Sequence, residues 1–175
     1  YNDTEVNYIS RFRRWTATAL YNPKYNFKHS LSAATSAQDT FREAFFSDLK
    51  VDNIFSDVSV LSYTCYQCTS LVNARTFHVT EKTGYTSPFY GCTKLEEIRF
   101  NGTIGKNGLS FKDCTKLSKD SHISVIEHLS ATTSGLTVTF SKTAVNNAFE
   151  TSSGAADGST SAEFAALVAT KSNWT

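Results

Sequence analysis

Apolar and polar positions along this chain recur as a phrase. Tyr66-Gln67-Cys68-Thr69-Ser70-Leu71, Tyr90-Gly91-Cys92-Thr93-Lys94-Leu95 and Lys112-Asp113-Cys114-Thr115-Lys116-Leu117 share Cys-Thr-x-Leu, with the cysteines 24 and then 22 residues apart. Phe89 and Phe111 stand three residues before their cysteines, and Cys65 holds that slot in the first copy. A degenerate copy covers 41–49, with Phe46 read in the cysteine slot, and Leu49 keeps the period to Leu71. Self-similarity at a period of about 20–29 residues predicts a solenoid whose unit is one short strand and a return. Apolar segments at 51–60, 72–79 and 95–100 fill the strand slots, and Glu97-Ile98-Arg99-Phe100 alternates as a half-buried strand does. Asn- and Gly-containing bridges at 81–84, 101–103 and 105–108 predict tight bends, as small hairpins or long corners.

The flanks follow other periods. Tyr8, Phe12, Trp15 and Ala19 fall on one helical face before Pro23, so residues 1–39 are expected to cap the first repeat. The repeats occupy 40–117 and a helix-and-strand cap 118–175, all in one continuous domain. Ser118 is a predicted N-cap for a helix carrying Ile123, Ile126 and Leu129 on one stripe. Residues 136–140 alternate as a strand, 141–149 suit a short helix, and 150–160 read as a loop. Thr160-Ser161-Ala162-Glu163 fits a capping box before Phe164, Leu167 and Val168, and Trp174 is expected to begin a final strand. The fold class expected from these elements is an α+β solenoid.

Composition narrows the partners. The chain has 175 residues, 40% hydrophobic and 19% charged, with a net charge of +1. No extended basic cluster supplies a phosphate footprint, so no nucleic-acid partner is expected; Arg11-Phe12-Arg13-Arg14 reads as a solvated face. No apolar run is long enough for a membrane span, and no membrane insertion is expected. Starting at Tyr1 and lacking Met, the sequence reads as a processed protein or an excised piece of a longer one.

The four cysteines suggest metal chemistry until they are aligned. Cys65-Tyr66-Gln67-Cys68 is formally a CxxC, but Cys68, Cys92 and Cys114 share one repeat position, and ligands of a tetrahedral site must converge rather than line a ladder. A structural ladder of buried thiols is favoured over a disulfide between neighbours, and both over a metal. His29, His78, His122 and His128 are scattered, Glu96 and Glu97 point to opposite faces of a strand, and no catalytic motif is present. The chain is therefore expected not to be an enzyme, with no catalytic residues, no cofactor and no metal.

The phrase Phe/Tyr-x-x-Cys-Thr-x-Leu resembles the BspA-like leucine-rich repeats, a cysteine-containing subclass found in bacterial surface proteins, bacteriophage proteins and some protist surface proteins. The segments 117–121, 134–139, 141–149 and 171–174 resemble the closing region of repeat proteins from gut Firmicutes and their phages. The resemblance implies a short leucine-rich-repeat β-coil stack, with an aromatic N-terminal cap and a helix/strand C-terminal cap. It also implies a non-enzymatic recognition or adhesion role on a virion tail or cell surface. The partners would be a host-surface glycan or protein, or neighbouring virion or surface subunits in a purely structural spacer. Aromatics along the sheet could grip such a ligand, and Tyr66, Tyr85 and Tyr90 are the candidates. Asn2, Asn101 and Asn173 open glycosylation sequons, which matter only for a eukaryotic source.

Overall fold

Ala74, Phe77 and Val79 are buried and their neighbours are half-exposed, which sets β1 at Asn73–Val79. Ile98 and Phe100 alternate with Glu97 and Arg99 in β2, Glu97–Gly102. The two strands pair in parallel, Thr76 opposite Arg99 and Phe77 opposite Phe100. Their register slips between Asn73 and Thr76, where Arg75 adopts a φ of 59°. The irregularity lets Ala74 and Phe77, three residues apart, both reach the core. A left-handed Arg costs on the order of 1–3 kcal/mol. Against that cost, its Nε and Nη2 donate to the Asp48 carboxylate at 2.8 and 2.7 Å.

The computed structural model describes residues 36–49, 58–149 and 161–175. Beyond β1 and β2, β3 (Ser110–Phe111) pairs in parallel with β4 (Thr139–Phe140). The helices are α1 (Lys119–Glu127), α2 (Lys142–Ala148) and α3 (Ala162–Ala169). Ser118, Ser141 and Ser161 cap them, each side chain accepting a backbone N–H three residues on. The last helix thus starts from Ser161 and not from Thr160. The aromatic stripe at 8–19, most of the 51–60 slot and the 150–160 loop lie outside the described residues.

The expected α+β solenoid, a β-coil stack through 40–117, is overturned. The described residues form a small mixed α/β fold with two separate two-stranded parallel sheets and three helices. One physical reason lies at the far edge of β2. There Ile98 N donates to Ser121 Oγ and Phe100 N to Ser124 Oγ, each at 3.0 Å. Two serines of α1 satisfy the edge that a third strand would have used. Docking through those hydroxyls also rotates α1, so Ser121, His122, Val125 and Ile126 are buried and Ile123 is only half-buried.

Of the two forms expected for the bridges, hairpins or corners, the described residues show corners; both strand pairings are parallel. The bends at Asn101-Gly102 and Asn107-Gly108 are corners that press against the chain. Gly102 and Gly108 have φ of 95° and 97°, and a Cβ there would lie 1.9 Å from the Val79 carbonyl oxygen and 2.2 Å from that of Tyr85. Only glycine fits. The predicted 136–140 strand shortens to β4, with Leu136 making a single bridge to Trp174. Trp174 is buried, and its indole Nε1 donates to the Ser130 carbonyl at 2.8 Å.

One apolar cluster runs from Ala37 to Trp174. Within it Phe89 and Phe111 stack with ring centroids 5.4 Å apart, and the partly buried Phe140 packs on Phe111 at 5.8 Å. Phe77 meets Phe89 edge-on at 5.5 Å.

Candidate recognition site

In the turns of the phrase, backbone bonds run from one copy to the next. Phe41 N and Glu43 N donate to Thr64 O and Tyr66 O at 2.8 and 2.7 Å, and Cys65 N and Gln67 N donate to Pro88 O and Tyr90 O at 2.8 and 2.6 Å. Glu43, Gln67 and Gly91 have φ of 59°, 56° and 74°. Glu43 and Gln67, each preceding the cysteine position, turn alternate N–H groups toward the next copy. Side chains at equivalent positions are thereby set one hydrogen-bonded spacing apart, about 4.8 Å.

The position after the Phe/Cys slot uses that spacing. It holds Arg42, Tyr66 and Tyr90 in successive copies. The Tyr66 and Tyr90 rings are stacked, with centroids 5.0 Å apart and planes 16° from parallel. Arg42 Cζ lies 4.6 Å from the centroid of Tyr66. Tyr63 closes the group, edge-on to Tyr66 at 5.6 Å and 5.6 Å from Arg42 Cζ. Arg42 Nη1 donates to Asp39 at 3.0 Å, and its Nε lies 3.4 Å from the Glu43 carboxylate. The Asp39 hydrogen bond raises the guanidinium pKa further, so the group stays cationic. Each such cation–π contact contributes about 0.5–1 kcal/mol at an exposed site. Tyr90 is 40% exposed, and Tyr66, flanked on both faces, is half-buried.

The three predicted tyrosines therefore separate. Tyr66 and Tyr90 come together, in the turns and not along the sheet. Tyr85 is buried at 6% exposure, its hydroxyl has no partner, and burial pushes its pKa up. It occupies the position of Leu61: Leu61 N donates to Gly84 O as Ala37 N donates to Val60 O. That position is inward in every copy.

Arg42 and Tyr63 escaped the sequence reading because the degenerate copy was aligned two residues out. Ala44, not Phe46, takes the cysteine position. Ala44 N donates to Phe41 O at 3.0 Å as Cys68 N donates to Cys65 O at 3.1 Å. Phe46 is buried edge-on to Phe41 at 5.4 Å. Aligning Phe41 with Cys65 and Phe89 was the available signal, since it places Arg42 level with the two tyrosines.

Behind the stack all four cysteines are free and buried. The Sγ of Cys68 and of Cys92 donate to Phe41 O and Cys65 O at 2.9 Å, and that of Cys114 to Phe89 O at 3.5 Å. Each of these three thiols satisfies the same carbonyl of the copy before it. Burial pushes the Cys65 thiol up and that of Cys114 up to about 12. Among the described residues no three His, Cys, Asp or Glu side chains are grouped to hold a metal ion.

Other candidate groups are engaged elsewhere. His122 and His128 put Nδ1 on the Ser118 and Ser124 carbonyls at 2.8 and 2.7 Å. His122 is enclosed by Phe140 and Phe149, at 4.8 and 5.5 Å, and its burial lowers its pKa. Of the sequon asparagines, Asn101 is exposed, whereas Asn173 Nδ2 donates to the Ser130 and Thr133 carbonyls. No described helix is long and apolar enough to cross a membrane.

In comparisons with family models, with curated proteins and with solved structures, no match to this chain was found.

Proposed function

We propose that this chain is a non-enzymatic recognition module that binds a surface glycan or protein through Tyr90 and the stack behind it. One observation carries the reading: Tyr66 holds Arg42 on one side and Tyr90 on the other, at 4.6 and 5.0 Å. Rings fixed in this way lose little entropy on binding, and the exposed Tyr90 presents area together with a hydroxyl. Asp39 and Glu43 beside Arg42 add acceptors suited to sugar hydroxyls or backbone N–H groups. The thiols of Cys68, Cys92 and Cys114 and the two histidines of α1 and its C-terminus are bonded to backbone carbonyls, which supports a role in adhesion over one in chemistry. On a virion tail or a cell surface, the setting that the resemblance implies, the ligand is a host-surface glycan or protein.

Glycan-array and cell-binding measurements test this. Wild-type protein is expected to bind a defined set of glycans or cells. Tyr90→Ala should weaken binding about tenfold, equivalent to about 1.4 kcal/mol, while Tyr85→Phe leaves it unchanged. A wild-type protein that binds neither, but associates with itself, would instead be a structural spacer.

A further inference from the structure

The aromatic run in the turns ends at Tyr90. Phe111 stacks on Phe89 at 5.4 Å with planes 11° apart, and Thr115 Oγ1 lies 3.5 Å from the Thr93 carbonyl oxygen. The fourth copy thus keeps the register of the third. Lys112, one residue past Phe111, stands level with Tyr90 and brings no ring to it. One face of Tyr90 is packed on Tyr66, and the residue as a whole is 40% exposed.

Beside Tyr90, the position before the cysteine holds Glu43, Gln67, Gly91 and Asp113 in successive copies. Gly91 leaves a notch in that row. A Cβ there would lie 3.1 Å from Gln67 Cγ, so the Gln67 side chain runs along one edge of the notch. Asp113 stands on the other edge by the same register. Gln67 and Lys112 are exposed and Asp113 is half-buried. Among the described residues, the side-chain amide, ammonium and carboxylate of these three make no hydrogen bond or ion pair.

We infer, resting on the reading of Tyr90 as the contact residue, that the ligand is a glycan with one neutral pyranose unit stacked on the open face of Tyr90. Gln67, Lys112 and Asp113 hold the hydroxyls of that unit. A pyranose has an apolar C–H face and a rim of hydroxyls that both donate and accept. The site answers both halves, with a flat ring and, around it, an amide that donates and accepts, an ammonium that donates and a carboxylate that accepts. Lys112 and Asp113 are adjacent and opposite in sign, so their fields offset each other and give an ionic sugar no advantage. A protein ligand fits less well. A stable protein interface covers about 800 Å² on each partner around apolar anchors. Among the described residues the other large exposed apolar side chains are Phe45, in the first copy, and Val168, in α3. One exposed ring with polar neighbours suits a single sugar better than a protein surface.

Saturation-transfer NMR on the whole chain tests this, with the methyl glycosides of glucose, galactose, mannose and N-acetylglucosamine as probes. At least one is expected to bind, with transfer concentrated on the C–H protons of one ring face. Tyr90→Ala should abolish that binding. Lys112→Ala, Asp113→Ala and Gln67→Asn should each weaken it about three- to tenfold, the loss expected for a hydrogen bond. Asn replaces Gln67 because it tolerates the left-handed φ of 56° found there. These three surface variants supply the answer if Tyr90→Ala does not fold. Binding that Tyr90→Ala removes and the three variants leave intact overturns the inference and spares the Tyr90 surface. Absence of binding to every pyranoside also overturns it; a host-surface protein that still binds, and that Tyr90→Ala releases, would leave the Tyr90 reading standing alone. Pyranoside binding that survives Tyr90→Ala overturns both.

Discussion

Around Cys68, Cys92 and Cys114 the same contacts recur from copy to copy, whereas around α3 every contact is made once. In the first region each of the three thiols meets one carbonyl, Glu43 and Gln67 each give one N–H to the next copy, and Phe89 and Phe111 are fully buried. In the second, an indole N–H and a lysine reach individual carbonyls, and the helix beside them has no buried residue. Repetition closes a core efficiently, because one solution to packing and hydrogen bonding serves every copy. A single-use arrangement leaves space, and a cavity of ≈ 480 Å³ lined by α1, β4, α2 and α3 is that space.

Truncating one ring in each region is the sharpest way to break this comparison. Phe89→Ala should cost about 3–5 kcal/mol in urea unfolding, the range for a fully buried aromatic. Phe164→Ala, removing a half-buried ring at the cavity wall, should cost about 1 kcal/mol. Equal losses would mean that the C-terminal region is packed as tightly as the repeats.

A smaller effect is expected from acid, and it belongs to the junction of the two regions. His122 is buried, and its pKa in the folded chain is lowered by desolvation. Below the ordinary value of about 6.5 the unfolded chain takes up a proton that the folded chain resists. Stability should therefore be full above that pH, fall as pH drops through the window between the two pKa values, and level off beneath it. Thermal melts across the window check this. The slope should flatten in His122→Leu, whatever that change costs at neutral pH.

The smallest effect tests the repeat region from inside. Tyr85 buries a hydroxyl with no partner, so Tyr85→Phe should be neutral or stabilise by up to about 1 kcal/mol. A loss of that size in urea unfolding would show that the hydroxyl is bonded after all.

Features that depend on a few neighbouring residues were legible in the chain. Ser118 announced its helix because a hydroxyl before an amphipathic run needs only the next three residues to act as a cap. The equivalence of Cys68, Cys92 and Cys114 was legible for a similar reason, since identical phrases adopt identical turns. The fate of Tyr85 was half-written, because its alignment with Leu61 was visible but a tyrosine in a Gly/Thr-rich bridge reads as exposed. Arg42 was hidden by a copy that carries two extra residues before its leucine.

Amino-acid order alone specified the Ser118 cap and the equivalent thiols, because each follows from local geometry and period. It did not specify where the sheet stops. That outcome required Ser121 and Ser124 to arrive from a different element and take the N–H groups of Ile98 and Phe100. Nor could it specify that Arg42, Tyr66 and Tyr90 touch, since their 4.6 and 5.0 Å contacts depend on copies meeting through left-handed turns and not through extended strands. Hydrogen-bond partners brought together across distant parts of the chain are chosen by the folded chain as a whole, and period by itself does not encode them.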